Sequence, residues 1–306
     1  ILGIFLVGGA VGTAFFLRSA KFSRFSPKTS KSVQKVSFSQ MVNSHFSKAS
    51  LTAPAHWRRE WICWGMVEKK PGQFDFYEID KLLKRGQRGQ VVYLFTLFPY
   101  AEWDQDQCHD ESYRGNMPFV HRKLTGKVGK PCDFRRYQNF LRKLVERYDG
   151  DGTDDMPGLV YPVKYWEIIN EPAMQGDDPS GLKFFKGTPQ EYLEILKASY
   201  TAIKTADPTA KAVMGGMAGM HSHFVRFWEP IMNEAKNYFD IANIHSINTD
   251  ANREDLFVIA FKKFLAEFGA DQKPIWITEA QFGPLDFEWE KQPKMSAEEM
   301  ARLMVR

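Results

Sequence analysis

From about residue 60 onward, short apolar runs alternate with longer stretches whose apolar residues recur every three or four positions. The runs suit buried strands, and the stretches suit helices packed through one face. Residues 59–64 form a first strand candidate, and 78–84, carrying Leu82 and Leu83, the helix after it. Residues 91–98 are an unbroken apolar strand. Asp133 is placed to cap a helix whose Phe134, Tyr137, Phe140, Leu141, Leu144, Val145 and Tyr148 share helical spacing. A strand over 162–170 follows. Thr188-Pro189-Gln190-Glu191 then reads as a capping box with Pro at the first helical position, for a helix to about Thr205. The alternation continues with strands over 212–216, 240–246 and 275–279, and helices over 223–238 and 254–268. Ser296-Ala297-Glu298-Glu299 opens a last helix with another capping box.

Strand–helix repeats of this kind imply a parallel sheet, closed or doubly wound. No GxGxxG loop follows any strand, which weighs against a nucleotide-binding sheet. Two strands end on a carboxylate: Tyr165-Trp166-Glu167-Ile168-Ile169-Asn170-Glu171-Pro172 and Pro274-Ile275-Trp276-Ile277-Thr278-Glu279. Burying a carboxylate alone is costly, so both endings ask for a chemical reason. Glu171 and Glu279 lie 108 residues apart with two strands between them, leaving about 36 residues for each βα unit. A (β/α)8 barrel of ~250 residues spends roughly 31 or more per unit, so the spacing fits. With 33–41 as strand 1, Glu171 ends strand 4 and Glu279 strand 7, and strand 8 would have to follow residue 306. The expectation is therefore a (β/α)8 TIM barrel truncated before strand 8.

Charge divides the chain. Residues 1–59 hold nine Lys/Arg and no Asp or Glu, whereas 60–306 hold 32 basic and 37 acidic residues. The folded part is thus mildly acidic and carries no electrostatic footprint for nucleic acid. With 43% hydrophobic residues, including 25 Phe, 11 Tyr and 8 Trp, the chain can fill a large core and still line a cleft with rings. Residues 1–35 read as a separate leader. A 16-residue apolar stretch (2–17) precedes Arg18, Lys21, Arg24, Lys28, Lys31 and Lys35. It is short for a span of ~20 residues but long enough for a signal-peptide core. A signal or signal anchor, with membrane attachment, stands beside an organelle-transit-like leader or a fragment boundary. Residues 36–306 form the barrel domain, and secretion or membrane anchoring is favoured over a cytoplasmic location.

Residues 99–132 make a long loop after the third strand, of the kind that serves as a functional lid or stays disordered. Cys108 and Cys132 at its middle and end would form a disulfide in an exported protein and be free thiols otherwise. Three cysteines lack zinc spacing, and the adjacent Cys108-His109-Asp110-Glu111 cannot converge like spaced ligands, so no metal is expected.

The paired strand endings, together with Arg58-Arg59-Glu60-Trp61-Ile62-Cys63-Trp64, Val67-Glu68, Pro71-Gly72, Phe74-Asp75-Phe76 and Asp80, resemble glycoside hydrolases of clan A. The strand 2 region is similar to that of family 39, with families 5 and 42 sharing the catalytic signatures. The resemblance runs from about residue 56 to 305. It implies a retaining O-glycosidase acting on β-linked oligo- or polysaccharides without a cofactor. Glu171 would be the general acid/base, Glu279 the nucleophile, Arg59 the cation holding Glu279 ionised, and Asn170 the partner of the sugar 2-hydroxyl. His245, ending strand 6, is either a substrate contact or structural. Ile247 stands where the clan often has a tyrosine. Trp103 is either a sugar-stacking ring or core. Glu167 fits a mid-strand structural carboxylate. Two other readings are a non-catalytic sugar-binding barrel and an inactive glycosidase fragment.

Overall fold

The computed structural model describes residues 3–8, 11–12, 57–116, 126–177, 181–248 and 256–282. The strand expected over 33–41 and the helix expected after Ser296 lie outside them. In chain order the strands are β1 (Gly3–Gly8), β2 (Val11–Gly12), β3 (Trp57–Cys63), β4 (Glu68–Lys70), β5 (Gln73–Phe74), β6 (Val92–Phe98), β7 (Tyr165–Ile168), β8 (Lys211–Val213), β9 (Ala242–Asn243), β10 (Ser246–Asn248) and β11 (Ile275–Phe282). The helices are α1 (Trp64–Val67), α2 (Tyr77–Arg88), α3 (Glu102–Gln105), α4 (Phe134–Glu146), α5 (Pro189–Ala206), α6 (Ser222–Ala235) and α7 (Val258–Glu267).

The caps read from the sequence form. Asp133 accepts from the Arg135 and Arg136 amides at 2.9 and 3.0 Å. Thr188 and Glu191 exchange both capping-box bonds, at 3.2 and 2.8 Å. Caps of this type stabilise a helix by about 1 kcal/mol each. Helix α6 runs through Pro230, although a proline there removes one backbone donor.

Strands β3, β6, β7 and β8 pair in parallel in that order. Parallel bridges Val213–Ile241 and Met217–Ile244 carry the order on to β9, and β9 and β10 both pair with β11. Every new strand joins the same edge, so the sheet has no reversal point and winds in one sense, as a barrel does and a doubly wound sheet does not. The apolar stretch expected as a leader supplies β1, which pairs in parallel with β11 on its free side (Gly3 opposite Trp276, Ile4 opposite Ile277). Gly3–Gly8 therefore lies beside β11 in this sheet. Among the described residues no pairing closes the ring between β1 and β3. Nor is any described helix long and apolar enough to cross a membrane.

Period-2 alternation sorts the strands into two cores. Outward residues such as Phe95, Trp166 and Ile277 join the helices in the main cluster. Inward residues Leu94, Val213, Ile241 and Trp276, with Trp57 and Tyr165 against them, form a separate apolar plug. Its rings interlock: Trp57–Tyr165 at 5.0 Å, Trp57–Trp276 at 5.6 Å and Tyr165–Trp276 at 4.9 Å between centroids. Two residues further along five of these strands the inward position turns polar: Arg59, Thr96, Glu167, Asn243 and Thr278, all buried. That layer underlies the candidate site. Glu171 stands beyond the end of β7, whereas Glu279, expected to end its strand, lies within β11, and His245 lies between β9 and β10.

Candidate active site

The polar layer is organised around Arg59, 2% exposed. Its Nε and Nη2 donate to the two oxygens of Glu167 at 2.7 and 2.9 Å, a fork that fixes the guanidinium plane. Glu167, read as a structural carboxylate, is therefore Arg59's ion-pair partner. It also accepts from Thr96 Oγ1 at 2.5 Å and Asn243 Nδ2 at 2.8 Å. Arg59 is left with donors aimed upward: Nη1 donates to Glu279 Oε1, and Nη2 to Asn170 Oδ1 at 2.6 Å. Burial alone would lower the guanidinium, but Glu167 and Glu279 more than offset this and hold it firmly protonated.

Asn170 and Glu171 leave β7 through a strained turn. Ile169 and Glu171 have φ values of 63° and 40°, in the left-handed region that β-branched and bulky residues avoid. Strain of this kind costs on the order of 1–3 kcal/mol per residue and clusters at functional sites. Here it turns the Glu171 carboxyl back over the strand ends, where it is 3% exposed.

His245 joins the two glutamates. Its Nδ1 lies 2.7 Å from Glu171 Oε1 and 3.9 Å from Glu279 Oε2, and its Nε2 is 2.8 Å from Thr278 Oγ1. Gly216 makes room for the ring: a Cβ there would stand 2.1 Å from His245 Nε2. Burial lowers the imidazole to about 4, so it is neutral at physiological pH and its contact with Glu171 is a hydrogen bond, not an ion pair. Burial pushes the Glu279 carboxyl above its ordinary value, against the pull of Arg59.

Glu171, His245 and Glu279 each offer an atom within 4.8 Å of the others. The same holds for Asp149, Asp151 and Asp155 and for Cys108, His109 and Cys132. In the first group Arg59 already supplies the cation that faces Glu279. In the last, both sulfurs are committed to the Cys108–Cys132 disulfide, so the loop over 99–132 is tied at two points. Asp104 ties it further by accepting from the Cys132 and Asp133 amides, both at 2.9 Å.

Five of the six residues expected from the sequence thus converge: Arg59, Asn170, Glu171, His245 and Glu279. Trp103 is held elsewhere on the C-terminal side of the strands. Its Nε1 donates to Glu68 O at 2.8 Å and its ring meets the buried Trp64 edge-on at 4.9 Å. Sequence reasoning missed Asn243, Thr278 and Trp61. Trp61 is half-buried two residues above Arg59, whose guanidinium lies 5.7 Å from its ring, with Phe98 and Phe184 alongside at 5.1 and 5.9 Å. Counting by twos from Arg59 would have found it.

No protein-family model and no curated protein matches the chain. Solved structures do. A glucosidase from Croceicoccus marinus is 16% identical with a TM-score of 0.50, the match covering 75% of this chain and 53% of that one. The xylanase XynB from Paenibacillus barcinonensis is 12% identical with a TM-score of 0.50, over 81% of this chain and 69% of that one. A family 39 glycoside hydrolase from Bacteroides cellulosilyticus WH2 also matches, at 16% identity and a TM-score of 0.47, over 74% of this chain and 44% of that one. The chain thus spans about half the length of the glucosidase. At these identities the likeness is one of fold: the parallel strand–helix arrangement is that of the TIM barrel these glycosidases share, with the ring not closed among the described residues.

Proposed function

We propose that the chain is a retaining O-glycoside hydrolase that cleaves β-linked oligo- or polysaccharides through a covalent glycosyl-enzyme, without a cofactor. The observation that carries this is that one carboxyl oxygen of Glu171 and one of Glu279 lie within 4.8 Å of each other, with both side chains also contacting His245. Double displacement needs carboxyls ~5–5.5 Å apart, whereas inversion leaves room for water at ~6.5–9.5 Å. In the first half-reaction a Glu279 oxygen attacks the anomeric carbon while Glu171 protonates the departing glycosidic oxygen. In the second, Glu171 takes a proton from water, the water oxygen bonds to the same carbon, and Glu279 leaves as a carboxylate. Asn170 Oδ1 accepts from Arg59 and one Nδ2 proton faces Glu171 at 3.5 Å, so the second Nδ2 proton is the donor for the sugar 2-hydroxyl. Trp61, half-buried beside Arg59, is the candidate stacking ring, while Trp103, packed on Trp64, takes the core alternative. The disulfide suits an oxidising compartment, in keeping with a secreted or anchored protein.

Glu279→Gly should abolish turnover of an activated aryl glycoside, and azide should restore it with release of the inverted glycosyl azide. Full activity of Glu279→Gly on every substrate the parent cleaves would remove Glu279 from the role of nucleophile.

A further inference from the structure

We propose that Thr278 and Asn243 are positioning residues that hold His245 in its Nε2–H tautomer, so that Glu171 must carry the proton at the Glu171–His245 contact. The proposal deepens the glycosidase reading, on which the role of that proton as the leaving group's acid rests.

The argument is one of hydrogen-bond direction, begun where direction is not free. Arg59 only donates, so Glu167 accepts from it on both oxygens. The Asn243 group 2.8 Å from Glu167 Oε1 is therefore its amide Nδ2, and Oδ1 faces the other way. Asn243 Oδ1 lies 3.0 Å from Thr278 Oγ1 and 3.3 Å from the Thr278 amide. It can only accept, so the single Thr278 hydroxyl proton is committed to it. At 2.8 Å from His245 Nε2, Thr278 Oγ1 must then accept, and Nε2 carries the ring proton. Full burial keeps the imidazole neutral, and a neutral imidazole has one such proton, so Nδ1 presents a lone pair to Glu171 Oε1 at 2.7 Å. Two lone pairs do not make a hydrogen bond at that distance. The missing proton belongs to Glu171.

Among the described residues, Glu171 is faced by His245, by Asn170 across a 3.5 Å contact, and, across His245, by Glu279 with Arg59 and Glu167 beneath. Arg59 donates to Glu279 and not to Glu171, so the two carboxyls meet opposite ends of one network. After Glu171 has protonated the leaving oxygen, its carboxylate faces the Nδ1 lone pair. That repulsion is relieved when it takes a proton from the attacking water, so one tautomer serves both half-reactions.

Long-range proton–nitrogen correlation spectra of histidine-labelled protein near neutral pH read the tautomer directly, with His245 assigned through His245→Gln. The parent should show Nε2 protonated and Nδ1 bare; protonated Nδ1 in the parent would overturn the proposal whatever the activity. Thr278→Val removes the acceptor for Nε2–H and frees the ring to donate from Nδ1. Its basic kcat/KM limb on an alkyl glycoside should move down by roughly one pH unit, a tenfold loss on that limb. An aryl glycoside with a good leaving group should lose far less, and Thr278→Ser should retain the parent tautomer and limb. Equal losses on both substrates with an unmoved limb would reduce Thr278 to a structural role and refute the proposal. A parent that cleaves no glycoside would sink the functional reading alone, since the spectra still decide the relay.

Discussion

Gly216→Ala tests whether the His245 position is as tightly specified as the geometry requires. The new methyl would stand 2.1 Å from His245 Nε2, 2.4 Å from Cε1 and 2.6 Å from Cδ2. Ordinary contact needs about 3.5 Å, so the ring would have to recede by more than about 1 Å. The imidazole is fully buried and held at both nitrogens, at 2.7 and 2.8 Å, so receding breaks both bonds. Overpacking of this kind costs about 1–3 kcal/mol, and each lost hydrogen bond adds about 1 kcal/mol. We expect Gly216→Ala to lower unfolding stability by ~3–5 kcal/mol in urea denaturation. In the fraction that stays folded, kcat/KM should fall by about 10²-fold or more, the lower range for losing a positioned acid. Gly89→Ala is the control, because its methyl would meet nothing closer than Val91 at 3.5 Å. If Gly216→Ala matched Gly89→Ala in stability and kept the parent's kcat/KM, the close fit around His245 would be wrong.

Two further outcomes follow from the charges and the loop. Because burial raises Glu279, the ionised nucleophile is lost as pH falls through a value above the ordinary carboxylate range, so the acid limb of kcat/KM should lie above pH ~4.5. Arg59→Met, which removes the opposing cation, should push that limb higher still; a parent limb at or below the ordinary value would refute the account. The Cys108–Cys132 bridge closes a loop of sequence separation 24, so Cys108→Ser/Cys132→Ser should cost about 3 kcal/mol in denaturant titration. Unchanged stability in the double variant would mean that the bridge constrains nothing the fold needs.

How much was legible depended on the kind of signal. Glu171 and Glu279 could be read because a carboxylate at the end of an apolar run breaks the local pattern. The helix starts at Asp133 and Thr188 could be read because caps are local chemistry. Arg59 needed the resemblance, since Arg58 beside it is identical in type. Asn243, Thr278 and Thr96 were not legible: each is a small polar residue inside an apolar strand, and only the facing of the strand makes it part of a layer. Gly216 was read as a strand end, whereas β8 stops at Val213 and the glycine stands behind His245. Nothing within a few residues of position 216 announces a ring contributed from position 245. The apolar residues after Ile1 have a composition that suits a leader and a strand alike, so their pairing with β11 could not be read from composition.

The polar layer has no evident rationale in stability. Arg59 and Glu167 are both taken almost wholly out of water, with side chains 1% and 0% exposed. Desolvating each ion costs several kcal/mol, and apolar side chains of similar volume would often leave the fold as stable or more so. The plug of Trp57, Tyr165 and Trp276 below keeps water out, which strengthens the attraction and equally the penalty. What the layer does supply is orientation. From the single fixed cation at Arg59, one path leads directly to Glu279 and delivers a donor. The other passes through Glu167, Asn243, Thr278 and His245, reversing acceptor and donor at each step, and delivers a lone pair to Glu171. Two residues of the same type, a few ångströms apart, are thereby given opposite environments. Under the proposed mechanism that is the requirement for one to attack while the other holds its proton.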